Sequence, residues 1–416
     1  MTGSRNSHGS DASSAAMTRS LLALACARRH SRLGAVALTA AACAAAAAPA
    51  AHAAVPVLRI DASRPIPNEP KVSASLRMPG YRGRIGIETR GQSSQMFPKK
   101  SYAVELRDAE GKDRKAPLLG MPEDGDWVLY APYNDKTLMR NVLAYETARW
   151  TGRYAARTRF LELRLNGRYH GVYVMMEKLE LGDDRVQGEA LFEFTFPFQA
   201  RSKAPSFVTP VRRRPIVWED PERGDLSRAR AERLAAKVRG AERALYGCGS
   251  WRRRIDERSA VDFALLNELF KNQDGFHAST YMALRGETLH LGPVWDFDIS
   301  TGNSDYGPSR RLQGWMLRER DWAERLYRDR RFTRRMAARW RELRRTGLQR
   351  RVLRTVDRSR GELRGAVTRN FRRWPVLDQR IWPNPVARGS YRAELGFLRG
   401  WLKRRIAWID RNVGRL

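Results

Sequence analysis

An α+β fold, strand-rich in front and helical behind, is predicted by three observations. Two early segments, 84–90 and 101–106, alternate apolar with polar residues as half-buried strands do. Two pairs of short apolar runs further on are joined by hairpin turns, and the last hundred residues carry helical periodicity on an Arg-rich background.

The elements follow in order. Residues 54–79 read as an extended, Pro-punctuated lead-in. The strand at 84–90 is separated from that at 101–106 by a polar loop, 91–100, and 126–131 is a further short strand. Residues 137–150 read as an amphipathic helix with Leu138, Val142, Tyr145 and Trp150 on one side and Thr137 or Asp135 as its cap. Asn166-Gly167 between the runs 160–165 and 169–176 is a strong hairpin signal. An irregular stretch, 198–250, holds a helix near 226–246. The next helix is expected to open at Ser259, with Asp262 at the capping-box position and Val261, Leu265 and Leu269 as its stripe. It runs out at Lys271-Asn272-Gln273-Asp274. A second hairpin, 280–284 with 288–291, then leads into Gly292-Pro293-Val294-Trp295-Asp296-Phe297-Asp298. A final helix from Ser390 carries Leu395, Leu398, Leu402, Ile406 and Ile409.

Composition bounds the function. With 416 residues, 42% of them hydrophobic, the chain builds real cores, and disordered or fibrous classes are excluded. No apolar run of about 20 residues lies beyond the first 55, so a multi-span membrane protein is excluded and the mature chain has no transmembrane span. The 78 Lys and Arg outnumber 45 Asp and Glu by 33, and residues 306–416 hold 32 of the bases against 10 acids. The aromatics in that basic region, Trp322, Phe332 and Trp340, share a helical face with Leu326, Met336 and Leu343. That period marks core rather than base-stacking platforms, and nucleic acid is not an expected partner.

The first 53 residues read as an export signal. Arg19, Arg28, Arg29 and Arg32 form the basic region, 34–48 the apolar one, and Ala51-His52-Ala53 a small-x-small cleavage site. The expected location is therefore exported: periplasmic, secreted or at the cell surface. A lipid anchor on Cys43 is the second reading. Of three cysteines only Cys248 lies beyond this leader, so no internal disulfide is expected, and the scattered His residues exclude a structural zinc site.

The chemistry resides in an ordered set: a helix ending at an Asp loop, a hairpin, and a second Asp cluster. Acid sites flanking one hairpin can converge at its rim, one accepting a proton from a hydroxyl and the other holding a divalent metal on phosphate oxygens. Lys99 and Lys100, after a Gly-containing loop, add ammonium groups. Taken singly, each piece reads as an ordinary cap, turn or solvated charge.

The segments Arg90-Gly91-Gln92-Ser93-Ser94 with Phe97-Pro98-Lys99-Lys100-Ser101-Tyr102, Leu138-Met139-Arg140-Asn141, Asn166-Gly167 with Gly171-Val172-Tyr173 and Glu177, Asn272-Gln273-Asp274-Gly275, and Trp295-Asp296-Phe297-Asp298 resemble the successive motifs of the CotH family of spore-coat-protein-H-like atypical kinases. The resemblance implies a divergent, two-lobed protein-kinase-like fold, with a nucleotide-binding lobe at 80–197, an insertion at 198–250 and a helical catalytic lobe at 251–416. It implies ATP with Mg²⁺ or Mn²⁺ as cofactors and a secreted or surface protein, Ser-rich in one reading, as acceptor. Asp274 matches the family's catalytic Asp and Asp296 its metal ligand, with Asp298 beside it. Lys100, or else Lys99, is expected on the phosphates together with Arg90 and Ser93, and Glu177 near the adenine. Glu146 is a candidate ion-pair partner for the Lys, while Arg140 and Asn141 support the site. The chain departs from the pattern after Asp274, where Phe276-His277-Ala278-Ser279-Thr280 lacks the usual Asn. Ser279 or His277 through a water, Asp298, or Asn303 are the candidates to replace it. The alternative function is a catalytically weak surface module of the same fold that docks on anionic wall polymer through its Arg-rich helices. A metal-dependent phosphohydrolase ranks lower, since no His or third carboxylate group accompanies the two Asp sites.

Overall fold

A computed structural model describes residues 54–196 and 206–416 of the chain. The expected leader, its cleavage site and Cys43 lie outside the described residues. Seven strands close into a barrel in the order β1 (Val57–Ala62), β2 (Val72–Met78), β3 (Tyr81–Arg90), β4 (Ser101–Arg107), β5 (Asp126–Tyr130), β7 (Arg168–Glu177) and β6 (Thr158–Leu165). Every pairing is antiparallel except β1 with β6. A second sheet, ordered β12 (Thr288–Leu291), β11 (Thr280–Arg285), β8 (Ala190–Phe194), β10 (Pro215–Asp220) and β9 (Ser206–Val208), lies behind it in the chain. Eight α-helices accompany these sheets among the described residues: α1 (Arg140–Trp150), α2 (Arg228–Tyr246), α3 (Glu257–Phe270), α4 (Asp321–Arg328), α5 (Arg330–Arg345), α6 (Leu348–Glu362), α7 (Ala366–Arg373) and α8 (Tyr391–Asn412). None of them is long and apolar enough to cross a membrane.

The α+β reading holds, with three corrections. The lead-in 54–79 is not a loose extension, because β1 and β2 supply two staves of the barrel. Its prolines sit in the connections, while Leu58, Ile60, Val72 and Leu76 alternate inward. The front is thus a closed barrel, which leaves no sheet edge to protect. The irregular stretch holds two strands, β9 and β10, in addition to its helix. Finally, α3 starts two residues ahead of Ser259: Asp256 is the cap, its carboxylate accepting from the Ser259 amide at 2.7 Å.

Alternation along β7 shows how the two bodies join. Tyr173 and Met175 point into the barrel core with Leu161 and Leu163, whereas Val172, Val174 and Met176 join the large core shared with the helices. Buried on both faces, β7 reads as a continuous apolar run. At its start Asn166 and Gly167 both adopt left-handed backbone angles, as the two-residue hairpin requires. Gly171 is also left-handed, and a Cβ there would meet Asn370 Oδ1 of α7 at 2.6 Å, so glycine permits the approach of α7 to the barrel.

The aromatic face of the basic region is core, as expected: Trp322, Phe332, Met336 and Trp340 are fully buried. One helix carries an unexpected buried charge. Glu268 on α3 accepts from the amides of Met316 (2.6 Å) and Leu317 (2.8 Å), from Tyr327 Oη (2.8 Å) and from Arg405 of α8 (3.0 Å). Arg405 in turn donates to the carbonyls of Glu268, Leu312 and Gly314 at 2.8–2.9 Å. Each group is satisfied by the other and by backbone, with Tyr327 Oη the one further side chain on Glu268. Glu268→Ala or Arg405→Met is expected to cost about 3–5 kcal/mol in unfolding free energy, since either strands a charge in the core. Urea titration of the purified variants measures this.

Candidate functional site

Two tight loops carry the three candidate acids. The first leaves α3 through Lys271, whose left-handed backbone ends the helix, and turns again at Phe276 and Ser279, both at positive φ. Phe276 anchors that loop by packing edge-on against Phe194 and Phe263. Asp274 sits between these fixed points, its carbonyl accepting from the amides of His277 (2.8 Å) and Ala278 (2.9 Å). The second loop follows β12. Trp295 stacks on Tyr145 of α1 at 5.6 Å, the left-handed Asp296 donates its amide to Tyr145 Oη, and Phe297 donates its amide to Asn141 Oδ1 at 2.6 Å. Two motifs far apart in sequence are thereby locked together.

The N-terminal turn of α1 secures the rest of this loop. Asp135 caps the helix by accepting the Arg140 amide at 2.8 Å and pairs, fully buried, with the Arg140 guanidinium. Arg140 Nε reaches the Ser300 carbonyl (3.2 Å) and Thr301 Oγ1 (2.8 Å), just beyond Asp298. Arg140 and Asn141 therefore both bond to this loop.

The electrostatics of the three acids are coupled. Burial, then the charge of Asp298, raises Asp274 to about 7, with Arg320 pulling the other way. Asp296 rises to about 6 through burial and Asp274, opposed in part by Arg90. Asp298 is pushed well above the usual carboxylate range by burial and Asp296, and its carboxyl is hydrogen-bonded to the Asp296 carboxyl and to the Asn134 side-chain amide. Three acids thus share one pocket of the field in a strongly basic protein, and they lack enough positive charge nearby to ionise together.

That deficit matches a hard divalent cation. Tyr130 Oη, buried and without a hydrogen-bond partner among the described residues, feels the charges of Asp298, Asp135 and Asp296, so an unpaired polar group lies in the field of the same acids. Among the described residues no group of three or more His, Cys, Asp or Glu is placed so that it could hold a metal ion. A cation here therefore needs phosphate or water oxygens to complete its shell, which is how Mg²⁺ is ordinarily held. Asp296 and Asp298 are the residues that fit it.

The other sequence-predicted residues divide. Arg90, at the end of β3, lies over the Trp295 ring at 5.7 Å and so reaches the acid loop. Ser93 is exposed on the β3–β4 loop, and Lys100 Nζ is bonded to the Gln95 carbonyl of that loop. Lys99 is not available to phosphate. Its ammonium is buried between β7 and α7, bonded to the Val172 carbonyl (2.7 Å) and Asn370 Oδ1 (3.0 Å), and burial lowers its pKa to about 7.

Glu146 does not pair with either lysine; it binds Arg358 and Thr355 of α6. Glu177 is consumed by the Arg157 amide and guanidinium and by Tyr154. Asn303 is committed to the carbonyls of Asp298 and Asn134 and to Asn384, so its amide braces the loop. Ser279 remains half-buried at a left-handed turn before β11.

Sequence reading missed Arg320. Its guanidinium donates to the carbonyls of Gln273 and Gly275, the two neighbours of Asp274, and is the one base that lowers the Asp274 pKa. Nothing in an Arg-rich tract marks this one. Asn134 and Tyr130 were missed likewise, as isolated polar residues at a strand end.

The chain thus joins a seven-stranded barrel to a helical part and carries a cluster of three acids on the flanks of the β11–β12 hairpin. The family model described as CotH kinase protein matches residues 87–409, and the chain belongs to that family. No curated protein matches the chain. Family membership supports a kinase-like function and the use of ATP with a divalent metal.

The shifted acids yield a pH prediction. Asp274 titrates near 7 in the folded protein against an ordinary value of 3.8, so the fold binds that proton more tightly than the unfolded chain. Stability therefore falls as pH rises from about 4 to about 7. In metal-free buffer, Asp274→Asn is expected to be more stable than wild type by about 4 kcal/mol at pH 8 and equal to it below pH 4. Arg320→Met moves the Asp274 transition to higher pH. Chemical denaturation across pH 4–8 reads both.

Proposed function

We propose that this chain is an exported, metal-dependent protein kinase that transfers the γ-phosphate of ATP to Ser or Thr hydroxyls of secreted or surface proteins. The observation that carries this reading is the convergence of Asp274, Asp296 and Asp298 from opposite flanks of the β11–β12 hairpin. Asp274, with a carboxyl near pH 7, is tuned to accept the hydroxyl proton as the new O–P bond forms and the bond from the γ-phosphorus to the β-bridging oxygen breaks. Asp296 and Asp298 hold the Mg²⁺ or Mn²⁺, which when bound supplies charge neutralisation on the phosphates.

Arg320 fixes the backbone on both sides of Asp274, and Arg90 and Lys100 provide cations at the barrel mouth. Asn141, Tyr145 and Arg140 hold the metal-binding loop against α1. Most of the catalysis expected of such a site is positioning and charge neutralisation, and these contacts supply both.

A second reading is favoured by the burial of Lys99 and the commitment of Asn303: a catalytically weak module that docks on anionic wall polymer. The two readings separate on ATP. For a kinase, the purified protein with Mn²⁺ binds ATP calorimetrically and transfers labelled γ-phosphate to itself or to a Ser-rich acceptor. The Asp274→Asn/Asp296→Asn double variant loses transfer at least about 100-fold, as removal of a general base and a metal ligand demands. Wild-type transfer equal to that of the double variant would sink the kinase reading. Absence of ATP binding, with salt-sensitive binding to polymer, is the signature of the docking module.

A further inference from the structure

A cavity of about 370 Å³ opens between the barrel and α7, away from the acid cluster. Its lining includes Glu162, Arg164 and Tyr169 from the β6–β7 hairpin and Arg369, Arg372 and Arg373 from α7. Charge bookkeeping within it is uneven. Arg369 forms a two-pronged pair with Glu162 (2.8 and 2.7 Å), which also accepts from Tyr169 Oη at 2.6 Å, so the single acid of this set is fully used.

The three remaining guanidiniums have no carboxylate partner among the described residues. Arg373 is held by the Tyr169 carbonyl at 3.1 Å and lies over the Trp374 ring at 4.2 Å, which sets its direction. Arg164 touches only the Gly167 carbonyl, at 3.3 Å, and Arg372 is exposed. The field is felt next door: burial, then Arg373, Lys99 and Arg168, lower the pKa of His170.

We propose that this cavity binds the phosphoryl group of a phosphoserine or phosphothreonine on a protein partner. Three planar, uncompensated forks call for more than one negative charge, and a phosphomonoester brings nearly two with three acceptor oxygens, where a carboxylate brings one. The space is of the size of a small ligand pocket and admits one side chain with its flanking backbone. Broad anionic surfaces such as lipid headgroups are better met by an extended basic face, and Arg331, Arg334 and Arg335 of α5 are exposed for that. Binding does not depend on transfer at Asp274. Where the proposed kinase activity also holds, the cavity retains an acceptor that already carries a phosphate while a further hydroxyl is presented.

The test is fluorescence anisotropy of a labelled phosphoserine peptide and its unphosphorylated twin against full-length protein, wild type and Asp274→Asn alike, so that the result stands apart from catalysis. The phosphopeptide is expected to bind at least tenfold tighter than its twin in both proteins. Arg164→Ala/Arg372→Ala removes that preference with unchanged melting temperature, since neither side chain holds the fold together. Arg331→Ala/Arg334→Ala on α5 is expected to leave it intact. Equal affinity for the two peptides, or equal loss from the α5 double variant, overturns the proposal in favour of bulk charge. Competition by inorganic phosphate at the phosphopeptide's own concentration overturns it in favour of a free-anion site. Binding to anionic vesicles that needs Arg164 and Arg372, with no phosphopeptide binding, makes it a membrane contact instead.

Discussion

The buried pair between Asp135 and Arg140 is the contact on which the candidate site depends. Neither side chain reaches water. Two charges so placed are costly unless they are paired and hydrogen-bonded, and here the partners are the first turn of α1 and the loop beyond Asp298, with only the Arg140 Nη2 left without one among the described residues. The pair thus converts the cost of burying charge into a fixed distance between a helix start and a loop about 160 residues later in the chain. Asn141, the next residue, and Tyr145, four residues further along and so on the same helix face as Asn141, extend that grip to the amides of Phe297 and Asp296. Stability and site geometry come from the same few bonds.

Against this rigid frame the acid cluster is electrostatically incomplete. A protein with 33 surplus positive charges nonetheless leaves Asp274, Asp296 and Asp298 to repel one another, because its arginines lie mostly on helix faces far from the hairpin rim. Arg90 and Arg320 offset part of that repulsion, one from each side. The arrangement holds carboxylates in mutual repulsion of the kind that a divalent cation would relieve, and perturbed acids of this sort cluster at functional sites. The buried Glu268–Arg405 pair shows the contrast: similar groups, fully matched, whose work is to hold α3, α8 and the chain between them.

The strands and helices were legible where local pattern and burial coincide. Asn166-Gly167 specified its hairpin because only left-handed residues close such a turn, and the stripe from Leu395 to Ile409 specified α8 because one face alone is buried. Pattern failed for β1 and β2, whose prolines read as loop, and for the start of α3, where two capping residues stand three apart. The order Asp274, hairpin, Asp296-Phe297-Asp298 also disclosed the acids, since a hairpin returns its flanks to one rim whatever surrounds it.

What the sequence determined by itself was therefore the family, the α+β class, the acid cluster and the core nature of the Arg-region aromatics. Each of these rests on residues near in sequence or on a repeated period. The tertiary structure alone decided that the front strands close into a barrel, that Lys99 serves the interior while Lys100 stays at the loop, and that Glu146 and Glu177 bind arginines. It alone singled out Arg320 from a tract of arginines. The reason is the same in every case: a long charged side chain has several partners within reach, and which one it takes is set by backbone carbonyls and carboxylates brought close only by the fold.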